Sequence, residues 1–334
     1  METAGLVDLQ VNGFAGIDFN DAAITAAALD HALAAMAAHG VTTCLPTLIT
    51  APEAVLAARL AALDRAAANS RLAQAMVPGW HLEGPFLNAS PGYAGCHDAA
   101  AMIDPDPALL ARLSAGLHRP ILMLTLAPER ANAMETIRAA RARGMLVALG
   151  HTAATSGEVR AAIAAGAQMA THLGNALPSP QPKFANPLIA QLSEDALAAS
   201  FIADGIHIPP EALKVLLRAK TPARSVLVTD ATAAAAAPPG LYSLAGMAIE
   251  HTAQGAVHIP GTDRLAGSAL TLDRAVANLI AWGFVPPDQA IAMASHTPAA
   301  LLAPALAAHG LAQPAGRVRW GVDWTIASVH MGPA

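Results

Sequence analysis

Residues 79–88 read GWHLEGPFLN, an apolar run that ends in one carboxylate, Glu83, and is cut off at once by Gly-Pro. A run this short, bounded by turn residues, has the length of a buried strand rather than a helix. A carboxylate at the end of such a strand is costly unless a cation or hydrogen-bond donors meet it. The partner has to come from elsewhere in the chain.

Working outward, runs of the same kind recur along the sequence: GLVDLQVNG (5–13), TTCLPTLIT (42–50), AMVPGWHLEG (75–84), PILMLTLAP (120–128), MLVALGHT (145–152), QMATHLGNA (168–176), LAASFIADGIH (197–207) and SVLVTDA (225–231). Between them lie Ala/Leu stretches with helical spacing, among them APEAVLAARLAALDRAAA (51–68), ANAMETIRAARARG (131–144), SGEVRAAIAAGA (156–167) and PPEALKVLLRAK (209–220). Several open with Pro or Ser or close with Gly, as helix ends require. Strict alternation predicts an α/β fold with a parallel sheet, and eight units predict a closed (β/α)8 TIM-type barrel. An open doubly wound sheet is the runner-up. It is weaker because NGFAGIDF (12–19) carries only two glycines where a dinucleotide-binding turn needs three.

The chain divides on this reading into a remnant of a small β domain (1–6), the catalytic barrel (7–244), a β-rich insertion or hairpin (245–264), C-terminal barrel helices (265–310) and strands of the small β domain (311–334). The 334 residues are 54% hydrophobic and 13% charged, enough for a sizeable core. A net charge of −5 gives no field for a nucleic-acid backbone. Two cysteines, Cys44 and Cys96, are too few for a disulfide framework, and METAGLVDLQ lacks the pattern of a secretory signal, so a cytoplasmic protein is expected. The Ala-rich stretches are interrupted by polar residues, which predicts no membrane-spanning helix.

In a barrel, residues at the C-terminal ends of the strands converge on one mouth. Those ends carry Gln10 and Asn12, then Glu83, His151, His172 with Asn175, Asp204 with His207, and Asp230. Glu, His and His form a ligand set for Zn²⁺, and three protein ligands with an open position characterise a catalytic site. Glu83, His151 and His172 are thus the expected ligands of one divalent metal ion, zinc first, with iron, cobalt or manganese as alternatives. Asp230 is the expected general base and later general acid. Gln10 and Asn12 are neutral amides, poor ligands for a second ion. Each residue also has a structural reading: Asp230 as a helix cap, Glu83 as an ion-pair partner, a buried His as a hydrogen-bonded core residue. His81 shares the face of Glu83 and is expected in a packed interior layer, while His31, His39, His118 and His309 are expected at the surface.

The segments VDLQVNGFAGIDFND, LPTLIT, HLEGPFLN, GHT, THLGNAL, ADGIH, LVTDATA and LAGSALTLDRAV together resemble the N-acetylglucosamine-6-phosphate deacetylases of the amidohydrolase superfamily, over residues 7 to 329. The resemblance implies a barrel with a small β-sandwich from both chain ends, a homodimer, and hydrolytic removal of acetate from an amino sugar. It also implies that Glu83, His151 and His172 hold the metal, that Asp230 is catalytic, and that His97, Asn175, Ala176, His207, Leu265 and Ser268 hold the small-molecule substrate, with His207 reaching across a dimer interface. The sequence departs from the pattern in three places. No Arg lies between 161 and 217, so Lys183 is the candidate for the 6-phosphate. Asp98 stands where Asn is usual, and the N-terminal part of the small domain is nearly missing. The same chemistry on an unphosphorylated or different N-acyl amino sugar, or a non-catalytic sugar-binding relative, are the competing readings.

Overall fold

The computed structural model describes residues 1–332. Eight parallel strands alternate with helices: β1 Leu6–Val11, β2 Val41–Ile49, β3 Trp80–Glu83, β4 Ile121–Leu126, β5 Leu146–Leu149, β6 Met169–Ala170, β7 Ala198–Phe201 and β8 Ser225–Leu227. They pair in sequence order from β1 to β8. The ring closes just past the ends of β1 and β8, where Asp230 N–H donates to Gln10 O at 2.9 Å and Asn12 N–H to Ala231 O at 2.7 Å. That closure excludes the open doubly wound sheet. In the third run, Ala73–Met76 forms a short helix and the strand begins only at Trp80.

Local chemistry sets the helix ends. Thr155 and Glu158 form a reciprocal capping box ahead of Ser156–Ala165, and Asn186 caps Pro187–Leu192 through Ile189 N–H. Leucine, valine and alanine of strands and helices form the main core, and Ile49, Leu244, Ile249 and Val257 belong to a separate, smaller cluster. The interior also carries a polar layer: His81 contacts the hydroxyls of Thr47 and Thr125 at 3.2 and 2.9 Å, and Thr125 pairs with Thr171 at 2.8 Å. Burial pulls the His81 imidazole down to about 4, so it is a neutral packed residue, as its position in the strand predicted. His31, His118 and His309 are exposed, and His39 is half-buried against Asp273.

The chain ends build a small appendage, a three-stranded antiparallel sheet of Glu2–Ala4, Arg317–Trp320 and Ile326–His330. A second antiparallel sheet, Gly240–Leu244, Met247–His251 and Val257–His258, stands over the barrel mouth. The expectation that no apolar helical stretch reaches membrane-spanning length is corrected. Pro287–Ala308 runs 22 residues with a mean hydropathy of 1.4 in its apolar window. The stretch comprises two helices that break at Ser295, and half of that window is buried in the fold, as in the core helices of barrels.

Candidate active site

One cavity of about 1050 Å³ opens at the C-terminal ends of the strands. Glu83, His97, His151, His172, Asn175, Ala176, His207, Asp230 and Leu265 all line it. Two candidates do not. Ser268 is buried and spends its hydroxyl on Thr229 O at 2.6 Å, holding the segment that carries Leu265. Lys183 is exposed and outside the lining, because the loop after Leu177 carries it away from the mouth.

Glu83 is 1% exposed and sits at the centre of the cluster. Its Oε1 lies 3.1 Å from His172 Nε2 and 3.4 Å from His151 Nε2, and its Oε2 lies 3.7 Å from His97 Nε2. Gln10 Nε2 donates to the same Oε1 at 3.0 Å. Burial works to raise the Glu83 carboxyl, but contacts to His151 and His172 outweigh it and hold it well below the carboxylate range. Burial likewise works against the charged form of His172, and Glu83 prevails to raise it. His97 is pulled down to about 3 by burial and by His151, so its ring is neutral.

A divalent ion fits this donor set. His151 Nδ1 lies 2.7 Å from Tyr93 O, and a carbonyl only accepts, so Nδ1 carries the proton. Nε2 is then the nitrogen that faces Glu83, 3.4 Å from Oε1, and is the one placed to ligate an ion shared with the carboxylate. The donors that converge mutually, within 4.8 Å, are those of Glu83, His97 and His151. This grouping differs from the trio expected from the sequence, since it contains His97 and omits His172. His172 makes the shortest approach to Glu83, so both sets belong to one cluster.

Backbone geometry aims the cluster. His151, His172 and Asp230 each follow the end of a strand with φ of 51°, 29° and 49°, a left-handed conformation uncommon outside glycine. Each turn swings the side chain toward the barrel axis, at a cost of order 1–3 kcal/mol that the surrounding fold sustains. Glu129 anchors the loop bearing His151: it accepts from Asn88 Nδ2 at 2.8 Å, from Ala153 N–H at 2.7 Å and from the Thr152 hydroxyl. Thr50 Oγ1 contacts His97 Nδ1 at 2.9 Å. Sequence reasoning missed Glu129 and Thr50, although both stand just past strand ends, the position that identified the others.

Asp230 Oδ1 accepts from Asn12 Nδ2 at 2.7 Å and from Gln10 Nε2 at 3.2 Å. Its Oδ2 has no hydrogen bond among the described residues and faces the cavity wall it helps to form. Burial, reinforced by Glu83, raises the Asp230 carboxyl to about 6 against the pull of His172 and His207. His207 Nδ1 pairs with Asp204 Oδ2 at 2.6 Å, which overcomes burial and keeps Asp204 low. Asn175 Nδ2 donates to His172 O at 2.9 Å, bracing the turn that presents His172.

Comparison with known proteins fits this geometry. The amidohydrolase family model matches residues 1–330. N-acetylgalactosamine-6-phosphate deacetylase of Escherichia coli O157:H7 is 35% identical, covering 89% of this chain and 76% of its own. N-acetylglucosamine-6-phosphate deacetylase of Bos taurus is 34% identical, covering 96% and 77%. Among solved structures, a point variant of the N-acetyl-D-glucosamine-6-phosphate deacetylase of Mycobacterium smegmatis, in complex with N-acetyl-D-glucosamine-6-phosphate, superposes with a TM-score of 0.86 at 31% identity, covering 99% of this chain and 85% of its own. With the barrel, the mouth and its carboxylate–imidazole cluster in place, these matches establish that the chain belongs to the amidohydrolase family and, within it, to the N-acetylglucosamine-6-phosphate deacetylases.

Proposed function

We propose that this chain hydrolyses the acetamide of N-acetylglucosamine 6-phosphate, releasing acetate and glucosamine 6-phosphate, with Asp230 as the proton-transferring group. The observation that carries the proposal is the free Oδ2 of Asp230 in the same cavity as the Glu83 cluster. Glu83, His151 and His172 would hold one divalent ion, and the mixed carboxylate and imidazole set favours zinc. Such an ion, when bound, supplies Lewis acidity for a carbonyl and for water. His172 is preferred over His97 as the third ligand because its Nε2 lies nearer the Glu83 carboxylate, 3.1 Å against 3.7 Å.

The remaining steps belong to side chains. Asp230, with a carboxyl near 6, is largely ionised at neutral pH and accepts a proton from the attacking water through Oδ2. Asn12 and Gln10 fix Oδ1, so Oδ2 is the atom left to turn toward substrate. His97 is neutral; in the tautomer whose Nδ1 accepts from the Thr50 hydroxyl, its Nε2–H would be the donor for the acetamide oxygen as charge develops there. The protonated Asp230 then returns its proton to the sugar nitrogen as the C–N bond breaks. Asn175, Ala176, His207 and Leu265 line the space left for the sugar.

A homodimer is part of this proposal, supported by exposed Phe184, Ile206 and Val215 in the segments that follow β6 and β7. A cytoplasmic location agrees with a sugar phosphate substrate. The test is acetate release from N-acetylglucosamine 6-phosphate and from N-acetylglucosamine, side by side, with Zn²⁺ added. Release from neither sugar would reject the deacetylase reading, and release from the neutral sugar alone would leave the chemistry and remove the phosphate.

A further inference from the structure

The stretch from 161 to 217 holds no Arg, and Lys183 lies outside the cavity. Within one chain, a phosphate bound in this cavity therefore needs a cation from elsewhere. Only two arginines line the cavity among the described residues, Arg59 and Arg264. Arg59 is already engaged: its Nη2 donates to Ala245 O at 2.7 Å, and it faces the buried carboxylate of Asp18. The Arg264 side chain makes no hydrogen bond and no ion pair among the described residues, although Asp263 and Asp98 also line the cavity. Asp98 is occupied as the cap of a short helix, accepting from Ala100 N–H at 3.0 Å.

Arg264 is held in place by its backbone. Its carbonyl accepts from Ile259 N–H at 3.0 Å, its own N–H meets Thr262 Oγ1 at 3.3 Å, and Leu265 pairs with His258. Four residues later Ser268 N–H donates to Asp230 O at 2.9 Å. Four extended residues span at most about 14 Å. The Arg264 backbone is thus tethered to the turn that carries Asp230, and both side chains line the same cavity. Its field reaches Cys96, next to His97, where it opposes the rise of the thiol.

We propose that Arg264 reads the anionic substituent of the substrate, taking over from the absent arginine after β6 the task of binding a phosphate monoester. The inference rests on the deacetylase reading above. An exposed guanidinium with its donors uncommitted offers a bidentate fork to phosphate oxygens, which a lysine does not.

The experiment compares the wild-type holoenzyme with Arg264→Met, Arg264→Lys and Lys183→Ala on N-acetylglucosamine and its 6-phosphate. Binding of the product glucosamine 6-phosphate is measured by calorimetry in parallel. Arg264→Met is expected to raise KM for the phosphorylated sugar, and to weaken product binding, by about 10- to 100-fold, the usual effect of losing a charge-assisted pair. The neutral sugar should change less than about twofold, Arg264→Lys should recover part of the loss, and Lys183→Ala should leave both sugars unchanged. An equal effect on both sugars, or none on either, overturns the assignment. A wild-type enzyme inactive on both sugars overturns the deacetylase reading instead, and calorimetry then still reports whether Arg264 binds the phosphate.

Discussion

Asn12 Nδ2 donates to Asp230 Oδ1 at 2.7 Å, so a side chain just after the first barrel strand orients the carboxylate just after the eighth. One oxygen is fixed and the other is left for chemistry. Asp230→Asn keeps an amide oxygen for Asn12 and tolerates the left-handed backbone at this position, because Asn adopts that conformation readily. The expected outcome is a fold that melts close to wild type and a kcat lower by roughly 10²- to 10⁴-fold, the usual weight of a general acid–base group. Wild-type turnover in a correctly folded variant would remove Asp230 from the proton path.

The two imidazoles that compete for the third ligand position are separable. His172→Asn should lose the divalent ion on dialysis, read by elemental analysis. His97→Asn should retain it and lose about 10²-fold in kcat, as a missing oxyanion donor does. If His97→Asn loses the ion and His172→Asn keeps it, the ligand set is Glu83, His97 and His151 instead.

Much of this site was legible because strand ends in a barrel share one rim. Glu83, His151, His172 and Asp230 each end an apolar run, and all four line one cavity. Lys183 lies outside the lining of this cavity, since a loop side chain has no such constraint and its direction depends on tertiary packing. Arg264 was invisible for the same reason: it follows the small sheet over the mouth, in a segment fixed by Ser268 pairing with the turn past β8, 38 residues away in sequence at Asp230. The eight strands were readable to within a few residues, whereas the apolar stretch 287–308 was judged by composition when only packing reveals it as two core helices.

Asp8 lies fully buried beneath the site, bonded to the Thr229 hydroxyl at 2.6 Å, and burial raises its carboxyl to about 7. In the unfolded chain the group titrates near 3.9. Between those values the folded state holds more protons than the unfolded one, so stability falls as pH rises from about 4 to about 7. Its favourable contribution is fully present below about 4. Asp8→Asn should flatten that limb, a difference of a few kcal/mol at most, measured by urea unfolding at several pH values. An unchanged slope would place the titration elsewhere.

Gly84 has φ of +87°, and a Cβ there would lie 2.1 Å from Thr50 Oγ1, the atom that holds His97. Gly84→Ala is therefore expected to lower stability by about 1–3 kcal/mol and to depress turnover through a displaced His97. Differential scanning calorimetry and acetate release read the two effects. Loss of stability with full activity would show that Thr50 does not set the His97 ring.

The order of the strands also fixes the order in which the site is made on the ribosome. All the proposed metal ligands have emerged by His172, with β6, while Asp230 follows more than fifty residues later and the barrel seam closes only when it pairs with Gln10. A nascent chain thus presents the proposed ligands before the carboxylate proposed to transfer the proton.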